Sequence, residues 1–214
     1  MKFKYFTPNQ ISLHNNIDDL WISFLGDVYN LTSICDKFKG DVLIKPILEA
    51  GGTDISHWFD HRTKDIRQYI DPITSCKFYY TPYGRFVHVP PPYPTTDWNN
   101  DYGRPWWKDV SNIIGKLSNK TRQILLVNTL TKERHVLEVC SEDTISDIME
   151  RYLQYNSHCG SYTWKHNQDV LDMDKTLAEN NIPDQDDEFY QLKINDVEFL
   201  TTLHLYYNDD LTEA

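Results

Sequence analysis

The sequence has 214 residues, a formal net charge of -11 and 40% hydrophobic residues. This composition is typical of a folded globular chain and excludes a disordered one. No apolar stretch reaches the ~20 residues of a membrane-spanning helix, so we expect none. The four cysteines lie too far apart along the chain for a zinc knuckle or a disulfide framework.

Charge is distributed unevenly along the chain. Residues 1–70 carry 8 basic and 9 acidic groups (net -1), and residues 71–120 carry 6 and 4 (net +2). Residues 121–214 carry 7 and 19, a net charge of -12. Such asymmetry predicts separate modules. The acidic last part would repel phosphate groups, so we expect no nucleic acid as a partner.

The first elements form a compact α+β pattern. Thr7 followed by Pro8 predicts a helix start, with the hydroxyl as cap and proline at the first helical position. The apolar run 20–25 and the return 28–31 predict a hairpin. Three short helical pieces follow, over residues 33–38, 42–49 and 56–60.

Two of these segments resemble the cytochrome b5 family. The hairpin of segment 19–32 ends in Val-Tyr-Asn-Leu-Thr, and segment 51–60 contains Gly-Gly-Thr-Asp before Phe-Asp. Both are landmarks of that family. The resemblance covers residues 5–72 and implies a small α+β domain with a haem site.

The family's two axial histidines are absent from their usual positions. The first lies six residues after the threonine of the hairpin, where this chain has Phe38. The second lies three residues after the Phe-Asp pair, where it has Thr63. Neither side chain is a ligand that haem iron takes from proteins. We therefore expect no haem, no catalytic residue and no metal site. The alternative to a chain without haem is that His57, His61 or Tyr69 holds the iron. If none of them does, these residues have ordinary packing roles.

Residues 73–120 are predicted to form a bridge rich in proline and aromatic residues. Six of the ten prolines lie between Lys77 and Trp107, and the run 90–94 predicts an extended or polyproline II conformation. Trp98, Trp106 and Trp107 are the predicted interaction residues. They would either cover the neighbouring domains or anchor a partner.

The last part of the chain resembles ubiquitin. Its pattern predicts the order β-β-α-β-β-β, with a hairpin and a capped helix first. The resemblance covers residues 121–208 and implies a β-grasp domain. The predicted elements are the hairpin 123–139, the helix 144–155, and the strands 161–165, 170–171 and 203–208.

Further segments resemble the cytochrome b5 domain-containing proteins of the ciliary axoneme, which are components of the radial-spoke stalk. These segments are 84–91, 97–107, 161–164 and 207–212. The resemblance implies a structural protein of the cilium whose partners are radial-spoke and other axonemal proteins, without nucleic acid or membrane. No glycine-rich phosphate loop or nucleophile elbow is present, so we expect no enzyme. The alternatives are a haem-dependent redox sensor or electron carrier, and a cytosolic ubiquitin-like adaptor.

Overall fold

A computed structural model describes residues 3–93, 101–193 and 199–208. The chain divides into two compact units, Met1–Leu117 and Ser118–Ala214, and each contains a five-stranded sheet. The helices are short and few beside the strands, which confirms the predicted mixed α+β class. Within the described ranges, no helix combines the length and the apolar character needed to cross a membrane.

The first unit begins with a capped helix and a tight hairpin. The Thr7 side chain accepts a hydrogen bond from the Gln10 N–H, and the Gln10 side chain accepts one from the Thr7 N–H, which completes a capping box. Leu25 and Gly26 have φ angles of 52° and 83°, as a two-residue hairpin turn requires. The elements are β1 (Tyr5–Phe6), α1 (Pro8–Leu13), β2 (Asn15–Asn16), β3 (Asp19–Phe24), β4 (Asp27–Asn30), α2 (Thr32–Lys37), α3 (Lys45–Glu49), β5 (Gln68–Ile70), β6 (Lys77–Tyr79) and β7 (Ile113–Leu117), with 3₁₀ turns at Val42–Ile44, Ser56–Trp58, Trp106–Lys108 and Val110–Asn112.

A strand from far along the chain occupies an inner position of this sheet. The strand order is β1-β7-β4-β3-β2. β7 runs parallel to β1 and antiparallel to β4. Here the structure differs from the predicted domain 5–72 and bridge 73–120. The first unit extends to Leu117 because β7 joins β1 to β4.

Aromatic rings dominate the core of the first unit. They come from the sheet, from the 3₁₀ turn at Ser56–Trp58, and from the segment that was predicted to be a bridge. All of them are at most 6% exposed: Phe24, Tyr29, Trp58, Phe59, Phe86, Trp106 and Trp107. The described part of the bridge thus contributes to a hydrophobic core rather than forming an extended spacer.

The second unit contains the predicted series of elements. Helix α4 starts from a capping box between Thr144 and Asp147, as its sequence predicts. A fifth helix, α5, was not predicted. The elements are β8 (Thr121–Asn128), β9 (Arg134–Cys140), α4 (Ile145–Tyr152), β10 (Tyr162–His166), β11 (Asp169–Val170), α5 (Asp186–Leu192) and β12 (Thr201–Tyr207), with a 3₁₀ turn at Cys159–Ser161.

The sheet of the second unit has the strand order β11-β10-β12-β8-β9. β12 and β8 are parallel, and the other neighbouring pairs are antiparallel. Helix α4 contributes three buried residues to the core. This core is mostly aliphatic: Ile124, Leu126, Leu137, Val139, Ile145, Ile148, Leu171, Leu177, Ile182, Leu203 and Leu205, with Tyr152, Cys159 and Trp164.

Candidate functional site

The first ligand position of the b5 pattern lies at the end of α2. Phe38 is the C-cap residue of this helix and is partly buried against the core of the first unit. Its ring meets the His88 ring edge-on, with 5.6 Å between centroids, and Lys37 Nζ lies 5.4 Å from the Phe38 centroid. A phenyl ring has no donor atom for iron, so its contacts at this position are packing contacts.

The second ligand position lies in an exposed turn. The N–H of Thr63 donates to Asp60 Oδ1 at 2.9 Å, and the Thr63 hydroxyl donates to the same oxygen at 3.3 Å. These bonds, together with one from the Arg62 N–H, hold the pKa of the Asp60 carboxyl below its usual value. Thr63 therefore stabilises a turn.

The three alternative ligands do not converge on one site. His57 is exposed in the 3₁₀ turn Ser56–Trp58 and meets the Trp58 ring edge-on at 6.1 Å. His61 is also exposed. Tyr69 lies on β5, is 50% exposed, and stacks on Phe78 at 6.1 Å. Among the described residues, no hydrogen bond or ring contact joins any two of His57, His61 and Tyr69. No cluster of three or more metal-ligating acidic, histidine or cysteine side chains is found in the same ranges.

A series of contacts leads from Phe38 to Trp107. His88 packs against Phe38, and its Nδ1 accepts a hydrogen bond from the Trp106 N–H at 3.2 Å. Trp107 follows at 5.5 Å from Trp106. Trp107 and Thr63 both line a cavity of about 420 Å³. The Phe38 position is thus packed by residues of this chain, whereas Thr63 and Trp107 face a common cavity.

His88 is the residue of this site that the sequence did not reveal. It is half-buried and has a φ angle of 69°, which is uncommon for a residue other than glycine. Burial lowers its pKa, and the nearby Lys37 charge lowers it further. The apolar run from Phe86 to Val89 signals burial, but nothing in it reveals a contact with Phe38.

The tryptophans predicted to bind partners have structural contacts of their own. Trp106 is 1% and Trp107 is 6% exposed. Trp107 Nε1 donates to Asp65 Oδ1 at 2.9 Å, and Lys108 Nζ lies 2.5 Å from Asp65 Oδ2. Burial opposes ionisation of Asp65, but these two hydrogen bonds outweigh it and lower its pKa. Trp106 and Trp107 are thus buried, whereas residues that anchor a partner should be exposed. Trp98 lies outside the described residues.

Comparison with known proteins identifies the family. No family model matches the chain. The cytochrome b5 domain-containing protein 1 of Xenopus laevis is 55% identical over 210 residues, covering 98% of this chain and 97% of the relative. The protein of that name from Homo sapiens is 52% identical over 210 residues, covering 98% and 92%. The chain belongs to the cytochrome b5 domain-containing protein 1 family.

A shorter match links the family to cytochrome b5 itself. Cytochrome b5 of Candida tropicalis is 34% identical over 55 residues, which is 26% of this chain and 41% of the relative. The predicted b5 domain is thus supported. In this member of the cytochrome b5 domain-containing protein 1 family, however, the residues do not fit a haem held by two imidazoles. Phe38 and Thr63 offer no suitable donor, and Phe38 is packed against His88 and the core of the first unit.

Proposed function

We propose that this protein is a non-enzymatic structural component of the ciliary axoneme that acts in the radial-spoke stalk. The observation that carries the proposal is the state of the b5 ligand positions. The domain is retained, but Phe38 packs and Thr63 supports a turn. A b5 domain without its iron ligands still has a folded surface for binding other proteins. The resemblance of segments 84–91 and 103–107 to axonemal proteins supports the location.

Three of the four thiols are buried and support a non-enzymatic role, whereas Cys76 is exposed. Burial, with a smaller contribution from neighbouring acidic groups, raises the pKa of Cys35 to about 11 and that of Cys140 to about 12. Burial also raises the pKa of Cys159. The thiolate is the reactive form of cysteine. These three side chains are therefore poor nucleophiles near neutral pH.

The second unit is proposed to be a ubiquitin-like β-grasp domain that binds a basic surface. Its strand order, the parallel central pair β8 and β12, and the single helix between β9 and β10 support this reading. The net charge of -12 over residues 121–214 favours a partner with basic groups. It disfavours nucleic acids and anionic membranes as partners.

The experiment is extraction of ciliary axonemes that contain the tagged chain. After detergent treatment the protein should remain with the axoneme. Salt should release it together with radial-spoke proteins, which mass spectrometry of the co-purified material would identify. A protein found wholly in the detergent-soluble fraction, with no axonemal protein bound, would contradict the proposal. The same result would favour the alternative of a cytosolic adaptor.

A charge-matched pair of variants tests the role of the second unit. Asp169 and Asp174 are exposed there, and Asp36 and Glu49 are exposed on the first unit. We expect Asp169→Asn/Asp174→Asn to lower the salt concentration that releases the protein. Asp36→Asn/Glu49→Gln changes the net charge equally and should leave that concentration unchanged. Equal effects of both pairs would count against a basic partner at the second unit.

A further inference from the structure

We propose that the chain replaces haem with its own side chains. Six residues form what we name the aromatic plug, and it occupies the space between the two ligand positions of the b5 pattern. With the plug in place, the first unit folds and stays closed without a cofactor, wherever in the cell the protein acts. The plug consists of Phe86, Val87, His88, Val89, Trp106 and Trp107.

Four aromatic rings pack closely around Trp106. Its ring centroid lies 5.8 Å from that of Phe24 on β3 and 6.3 Å from that of Tyr29 on β4. Phe59 and Phe86 are each 6.2 Å away. Protein interiors pack as densely as organic crystals. Haem would therefore have to expel plug residues that are at most 6% exposed, apart from the half-buried His88.

Hydrogen bonds hold the plug on both sides of this space. On the side of Phe38, the Val87 N–H donates to the Leu43 carbonyl at 3.2 Å. On the side of Thr63, Trp107 donates to Asp65. Displacing the plug would break bonds on both sides, so it is a fixed part of the fold.

The plug is also continuous with β7, an inner strand of the sheet. The turn Trp106–Lys108 leads through Val110–Asn112 directly into β7. Asn112 is buried, and its Nδ2 donates to the Trp106 carbonyl at 3.2 Å. Moving Trp106 outward would therefore strain the pairing of β7 with β1 and β4. Haem that displaced Trp106 would therefore disturb the sheet.

The first test uses the unsubstituted chain and amide hydrogen exchange. Peptides that contain Val87 and Trp106 should exchange as slowly as those of β3 and β4, because their N–H groups are bonded in the core. An excess of haemin should leave this protection unchanged. Fast exchange of these peptides, or a loss of protection on adding haemin, would overturn the proposal without any variant.

The second test restores both axial histidines with Phe38→His/Thr63→His. With the plug present, haemin should not give the low-spin spectrum of iron bound by two imidazoles. Adding Phe86→Gly/Trp106→Gly opens the space, and the spectrum should then appear. Phe86→Leu/Trp106→Phe is the matched control, because it keeps the space filled and should remain without the spectrum.

Two results of the second test would contradict the plug. One is the two-imidazole spectrum in Phe38→His/Thr63→His while the plug amides stay protected. The other is an opened chain that is folded by circular dichroism yet takes up no haemin. If the variant with Phe86→Gly/Trp106→Gly fails to fold, amide exchange of the unsubstituted chain tests the proposal, because it requires no change at Phe86 or Trp106.

Discussion

The two units build their cores in different ways. The first unit packs aromatic rings that come from widely separated segments, with Phe24 and Trp106 in one cluster. Its sheet is completed by β7. Along the chain, residues 31–112 separate this strand from its partner β4. The second unit packs mainly aliphatic side chains, although its sheet also pairs distant strands, β8 and β12. The comparison teaches that a domain can depend on residues well beyond its recognisable sequence.

Removing the central ring of the plug should give the largest effect. We expect Trp106→Ala to lower the free energy of unfolding of the first unit by about 4 kcal/mol, because it leaves a cavity among packed rings. The second unit should keep its stability. Urea denaturation, with amide exchange to identify the unit that opens, is the measurement.

Trp106→Phe is the matched control for this loss. The smaller ring keeps much of the packing, and it removes an indole N–H that is buried without an acceptor. An unpaired buried donor is itself unfavourable. Phenylalanine should therefore cost much less than alanine. Equal losses for the two variants would show that ring packing does not stabilise the first unit.

The same comparison explains how much could be predicted from the sequence. Local signals were sufficient for α1, whose cap residue Thr7 and first residue Pro8 are adjacent, and for the hairpin of β8 and β9. They were insufficient for β7, because its partners β1 and β4 lie far away along the chain and no family motif included it. The partner of β12 is also distant, but the ubiquitin resemblance predicted that strand. Aromatic enrichment marked Trp106 and Trp107, but composition cannot tell a core residue from a docking residue.

The candidate site was predictable only in part for a similar reason. Spacing from known motifs placed Phe38 and Thr63 at the ligand positions. The residue that contacts Phe38 is His88, which comes from a segment outside the b5 motif. A contact between distant segments leaves no periodic pattern in either of them. The plug therefore required the structure.

Breaking the buried ion pair of the second unit should give the next largest effect. Arg151 Nε lies 2.7 Å from Asp143 Oδ2, and the Asp143 side chain is 3% exposed. The Cys140 N–H donates to the same oxygen at 2.9 Å. Asp143→Ala would remove the carboxylate that pairs with a largely buried guanidinium. We expect a loss of about 3 kcal/mol in the free energy of unfolding, confined to this unit.

A surface pair provides the control for Asp143→Ala. Lys175 Nζ lies 3.1 Å from Asp172 Oδ2, and both side chains are about half exposed. Exposed pairs contribute little to stability. Asp172→Ala should therefore leave the urea midpoint of the second unit unchanged. A large loss here, or none in Asp143→Ala, would contradict the assignment of the buried pair.

A smaller, pH-dependent effect should distinguish the first unit from the second. His88 has a pKa below its usual value, because burial and then Lys37 disfavour its charged form. The unfolded chain therefore takes up this proton at higher pH than the folded chain. Its contribution to stability is complete above about pH 6.5 and declines as the pH falls towards the folded-state pKa.

His88→Gln isolates this effect from the other histidines. The urea midpoint of the first unit should fall on acidification in the unsubstituted chain, and it should fall less in the variant. Protonation at Nδ1 would also remove the acceptor of the Trp106 N–H. Identical pH profiles for the two chains would show that His88 does not couple the plug to pH.

The smallest expected effect is on the rate of thiol labelling. This measurement does not itself alter stability, and it reports on each unit separately. Cys76 is exposed and should react quickly in the native chain, whereas Cys35 in the first unit and Cys140 in the second are buried with raised pKa. Reaction of these two therefore requires opening, since the thiolate must form and become accessible. Trp106→Ala should accelerate labelling of Cys35 and not of Cys140, and Asp143→Ala should accelerate labelling of Cys140 and not of Cys35. Mass spectrometry of labelled peptides measures both rates in one sample. If both thiols accelerate together in either variant, the two cores open as one, and the contrast between them fails.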